Sequence, residues 1–174
     1  AERVAKQTGA IVISISQRRN VITVYRGDHK YVVEEISEVF SKANQALQTL
    51  QKYKDVLDKA IYNLNSLEFN DLVTIYDVIV VVQSMERVMR VAQIIEGYLV
   101  NLGEEGYLVR MQLEELIGGT EKNRLLLLKD YKREDIDLDE CQKKIRSLSQ
   151  EDLLNRVKIA RVLGYNGISE DMDL

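Results

Sequence analysis

Between residues 34 and 67 apolar side chains recur at alternating steps of four and three: Ile36, Phe40, Ala43, Leu47, Leu50, Leu57, Ile61 and Leu64. Lys54 is the one charge on that line. Such spacing puts the side chains on one stripe of a helix. Glu38, Lys42, Gln45, Gln48, Lys52, Asp55 and Lys59 occupy the other side. A helix of this extent is about 50 Å long at 1.5 Å per residue. Its single apolar stripe needs cover from other helices, because a lone amphipathic helix is marginal in water. A polar residue in such a seam, here Lys54, is a device for setting register.

Upstream of the rod the periodicity is different. Residues 1–8 have helical composition, closed by Gly9. Residues 10–16 are dominated by β-branched apolar side chains and predict a buried strand. Residues 17–20, Gln-Arg-Arg-Asn, break it. A second strand is expected over 21–26, with Val21, Thr23 and Tyr25 on one face, then a Gly27-Asp28 turn and a short third strand over 30–33. Together these resemble the edge of a larger sheet.

Downstream the helical period returns. Thr74 is the expected N-cap of a second helix, with Asp77 at the capping-box position. Val78, Val82, Met85, Met89, Ala92, Ile95, Leu99 and Leu102 form its core side, and Gly103 stops it. A third helix is predicted from about residue 104, carrying Leu108, Met111, Leu116 and Ile117 and ending at Gly118-Gly119. A fourth starts at Thr120, and its run Leu125 to Leu128 is expected to be buried. Residues 132–140 are charged and predict a solvated linker or frayed helix. Ser149 is the expected cap of a last helix over 153–163, ended by Gly164. The acidic residues 169–174 are expected to be disordered. The fold class is therefore mostly α with a small β segment: N-terminal strands followed by an elongated helical bundle.

Composition agrees. Of 174 residues, 45% are apolar and 30% charged, and there is no proline, which suits long unbroken helices. The net charge of −4 offers no electrostatic case for nucleic-acid binding by this chain alone. One cysteine, Cys141, has no partner for an internal disulfide, and with one histidine, His29, it cannot furnish a conventional zinc site. No apolar run is long enough for a membrane span and no signal peptide is evident, so a cytoplasmic location is expected. The first residues read as a piece of a longer protein.

Few residues suggest chemistry. His29 follows Asp28, but neighbours in a strand face opposite ways, so a turn histidine is the plain reading. Cys141 reads as a surface or half-buried thiol on a polar helix. Glu104-Glu105 and Glu114-Glu115 are adjacent pairs that do not share a helix face. Ser16, Arg18 and Arg19 are more suggestive, since a hydroxyl and two guanidiniums at a strand end suit phosphate oxygens. On spacing alone, a phosphate-binding turn and a solvated hairpin turn both remain open.

Residues 1–9, AERVAKQTG, and 15–23, ISQRRNVIT, resemble the end of the cyclase domain in the bacterial diadenylate cyclases that scan DNA integrity. Residues 42–50, KANQALQTL, with Lys52-Tyr53-Lys54, resemble the first long helix of that family's central domain. Leu67-Glu68-Phe69, Leu72-Val73-Thr74, residues 111–116, Lys129-Asp130-Tyr131 and residues 162–165 fit it too. The resemblance implies three regions: 1–33, the C-terminal part of a cyclase domain; 34–131, a central helical linker domain; and 132–174, an acidic linker and short helix leading towards a DNA-binding domain. It implies a parent enzyme that condenses two ATP into cyclic di-AMP with Mg2+ or Mn2+, assembles as an octamer and binds branched DNA. It makes Ser16 a nucleotide-contacting serine, with Arg18 and Arg19 the basic positions beside it. The family's Asp-Gly-Ala and Arg-His-Arg motifs belong upstream of residue 1 and its helix-hairpin-helix domain downstream of residue 174. This chain alone is therefore expected to be inactive. The alternative reading is a non-catalytic oligomerisation or interaction module.

Overall fold

The computed structural model describes residues 1–18 and 21–165. The described chain is mostly helical, with a three-stranded antiparallel sheet near its start. Helix α1 (Glu2–Thr8) ends at Gly9 in the left-handed conformation, φ 67°, where a residue without Cβ carries no penalty. Strands β1 (Ile11–Ser16), β2 (Val21–Arg26) and β3 (His29–Val33) follow in sheet order β1-β2-β3. The register pairs Ser16 with Val21, Ile13 with Val24, and Val24 with Tyr31.

Direct partners in an antiparallel pair share a face. One face of this sheet carries Val12, Ser14 and Thr23, and Thr23 is buried. Helix α1, with its buried Ala5, packs on the first two strands from this side. The other face carries Ile11, Ile13 and Ile15, which are 63%, 63% and 70% exposed. The expectation of a buried first strand is therefore corrected. Alternating side chains need a cover on each face, and only one face has one among the described residues.

Helix α2 (Ile36–Phe69) and helix α3 (Ile75–Leu102) form the body, an antiparallel pair packed along much of its length. Ala43, Leu47, Leu50, Leu57 and Leu64 are buried as the heptad spacing predicted, and Val39 joins them. Ile36, at the start of the stripe, is exposed. Thr74 opens α3 with a complete capping box. Its Oγ1 accepts from the Asp77 N–H at 3.4 Å, and its own N–H donates to Asp77 Oδ2 at 3.0 Å. Val78, Ile79, Val81, Val82, Met85 and Val88 are all buried. That is wider than one stripe, because α3 packs on α2 and also on helices from later in the chain.

Those helices correct three expectations. A 3₁₀ turn, Gly103–Gly106, precedes α4 (Tyr107–Ile117). A Cβ on Gly106 would lie 2.8 Å from Leu99 Cδ2, so only glycine fits at this close approach before α4. Val109 and Leu113 then face inward, while Leu108 and Met111 are exposed. In α5 (Thr120–Tyr131) the inward line is Thr120, Arg124 and Leu128. Four consecutive leucines sweep most of a helix circumference, and Leu126 points out. The last predicted helix is instead two, α7 (Gln150–Leu154) and α8 (Arg156–Val162), parted at Asn155, whose side chain accepts from the Lys158 N–H. Before them, α6 (Leu138–Ser147) is capped by Asp137 and buries Cys141 and Ile145. Gly164, at φ 97°, follows α8. The expected disorder of residues 169–174 lies outside the described residues.

Candidate functional site

Ser16 is the last residue of β1 and half-buried; Arg18 is exposed in the turn that follows. They stand at the end of the sheet where β1 passes into β2. Arg19 lies outside the described residues. The strand end and the turn thus place a half-buried hydroxyl near an exposed arginine, which is the donor chemistry phosphate oxygens accept. Asp28, beside His29, is turned to α1: its carboxylate is 3.4 Å from Lys6 Nζ. His29 is the exposed first residue of β3.

Cys141 is fully buried, which corrects its reading as a surface or half-buried thiol. Cys141 and Ile145 sit four apart on the inward line of α6, and burial pushes the thiol above its ordinary range against the pull of Lys132 and Lys144. A thiol in this setting is a poor nucleophile. Glu104, Glu105, Glu114 and Glu115 are exposed. Among the described residues no three histidine, cysteine, aspartate or glutamate side chains converge as a metal ion would need. No helix among them is long and apolar enough to cross a membrane.

Sequence reasoning missed the buried ionic cluster. Arg124 of α5 and Glu86 of α3 are 1% and 2% exposed and form an ion pair. Glu121 Oε1 accepts from Arg124 Nη2 at 2.7 Å and from Arg146 Nη2 of α6 at 2.6 Å. Burial opposes the Arg124 charge, but its hydrogen bonds to Glu86 and Glu121 outweigh that and raise its pKa further. The cluster binds three helices through charge. Its signal in the sequence was Glu86, a charge within the apolar stripe of α3; Arg124, preceded on its face by Thr120 and Glu121, carried no such mark. Lys54, singled out as the seam charge, instead turns to Asp58 of its own helix at 2.5 Å.

A second polar junction closes the far end of the body. The Tyr131 hydroxyl, at the end of α5, donates to Glu68 near the end of α2. The Tyr165 hydroxyl donates to the Tyr131 carbonyl at 3.0 Å, and the Arg133 N–H to the Leu163 carbonyl at 3.0 Å. A Cβ on Gly164 would meet Ile136 Cγ1 at 2.9 Å, so the chain passes here only as glycine.

The chain is thus a long helical pair with short helices packed against it and a small sheet before it. Residues 33–172 match the family described as the DisA bacterial checkpoint controller linker region, and the chain belongs to that family. It is 64% identical over 174 residues to the DNA integrity scanning protein DisA of Clostridioides difficile (strain 630), covering 100% of this chain and 49% of that protein. It is 52% identical over 168 residues to the protein of the same name from Clostridium botulinum (strain Kyoto / Type A2), covering 97% and 48%. The chain spans about half the length of the curated relatives it matches.

Proposed function

We propose that this chain is the helical spine of a DNA integrity scanning protein, joined at its start to the last strands of a diadenylate cyclase domain. One observation carries the reading: the linker-family match over residues 33–172 covers the helical body, while close identity to DisA relatives runs on through the sheet. In the intact protein two ATP molecules would meet face to face. Each 3′-hydroxyl attacks the other's α-phosphate, two diphosphates leave, and cyclic di-AMP results. Ser16, Arg18 and Arg19 steady the triphosphate by hydrogen bonds and charge, offsetting what develops on the phosphate oxygens. The Mg2+ or Mn2+ that this reading implies finds no donor set among the described residues and is assigned to the rest of the parent. Branched-DNA binding is likewise assigned to the rest of the parent, which on this reading is a cytoplasmic octamer. In the full-length protein, Arg19→Ala is expected to slow cyclic di-AMP formation by about tenfold or more, as loss of a charge-stabilising donor does. An unchanged rate would remove Arg19 from the site.

For the isolated chain, we favour a structural role as an interaction module. Tyr107, Leu108 and Met111 face outward on α4, and exposed apolar side chains in a group favour association. Sedimentation of the 174-residue chain at high concentration is expected to show dimers or larger species. A clean monomer would count against self-assembly through this piece.

A further inference from the structure

The sheet and the helical body do not share a core. Among the described residues, the buried cluster that runs from Val39 to Leu163 contains no strand residue, nor do strand side chains pack partly buried against it. The chain passes between the two bodies through Glu34 and Glu35, both exposed, with Glu35 in an extended conformation. Side chains at the joint are open to solvent: Val32, Val33 and Ile36 are all exposed.

Among the described residues a long-range polar tie runs across this joint. The Tyr31 hydroxyl of β3 donates to Asn101 Oδ1, in the last turn of α3, at 2.9 Å. The two residues meet because α2 and α3 are antiparallel, which returns the end of α3 to the start of α2. On the connector itself, Lys42 Nζ of α2 holds Glu34 Oε2 at 2.6 Å.

We infer that Tyr31 and Asn101 form a latch across a hinge at Glu34–Glu35, holding the sheet in one orientation to the helical body. Packed surfaces resist rotation because moving them opens voids. A joint without a shared core lacks that resistance, so orientation falls to its polar contacts. An exposed hydrogen bond biases such an equilibrium by about fivefold, small enough for a partner or ligand to reverse. The orientation matters because it sets where the turn after Ser16 faces. The inference stands whether or not the parent is a cyclase.

The test uses the 174-residue chain with spin labels on cysteines introduced at Arg26 and Glu96, both exposed, the buried Cys141 thiol being out of the label's reach. Pulsed electron-spin distance measurements are expected to give one dominant distance for the otherwise unchanged chain, with a minor population of about one part in six. Tyr31→Phe and Asn101→Ala should each broaden it, with the populations moving about fivefold. The double variant should add nothing further. Amide exchange in the strands should stay protected, and the helical melting curve should stay in place. A distribution with no dominant distance from the outset, or one that neither single variant alters, would overturn the latch. Loss of strand protection in Tyr31→Phe would also overturn it, since the hydroxyl would then be holding the sheet itself together.

Discussion

Arg124 shows how much one side chain can decide. Its guanidinium sits among α3, α5 and α6 with Glu86 and Glu121 as partners, at a place where an uncompensated charge would be very costly. The pair need not make the fold more stable than an apolar pair would, but it is unforgiving when halved. Arg124→Met alone is expected to cost about 3–5 kcal/mol, because Glu86 is left buried and unpaired. Glu86→Leu combined with Arg124→Met should recover most of that loss. Urea unfolding of the two variants beside the unchanged chain checks both statements, and a double variant as weak as the single one would mean the charges themselves are required. This pair was only half legible in the sequence. A charge within an apolar stripe could be seen on α3, but nothing along the chain said that α3 and α5 lie side by side. Lys54 carried the same signal and resolved differently, to Asp58 one turn away, because its position on α2 leaves it only half-buried.

At the scale of elements, caps and glycines proved the most readable features, since their physics is local. Thr74 with Asp77, Ser149 with the Asp152 N–H, and Gly9 in the left-handed region all act within a few residues of chain. The facing of the short helices was less readable. A one-residue change in where α4 begins turns each of its side chains by about 100°, and α4 starts directly after Gly106, which meets Leu99. The junction of α2 with α5 carries a pH dependence. Burial first, and then the hydrogen bond to Glu68, push the Tyr131 hydroxyl up to about 12 from an ordinary 10.0. A folded pKa above the unfolded one means this contribution is fully present below pH 10 and is lost as pH rises towards about 12. Subtracting the stability of Tyr131→Phe from that of the unchanged chain at each pH isolates it from the other tyrosines. The difference should be flat up to about pH 9 and shrink between 10 and 12. A difference that stays constant to pH 12 would place the hydroxyl outside the Glu68 interaction.

In this chain the sheet and the helical body are packed differently. The helical body has a continuous core from Val39 to Leu163; the sheet has one covered face and one open face of isoleucines. The Arg19→Ala rate and the sedimentation of the isolated chain bear on this scale, since each depends on what the spine joins. The chain's own pattern was enough to determine the long rod, the capped start of α3, the three strands and their turns, and the helix-ending glycines. Each of these follows from periodicity or from backbone chemistry within one or two turns. Only the tertiary structure decided that Cys141 is buried, that Leu126 and Leu108 face solvent, that Glu86 and Arg124 meet, and that the first strand shows its isoleucines to water. Burial is a property of neighbours, and which segments become neighbours is set by the packing of the whole chain rather than by any stretch of it.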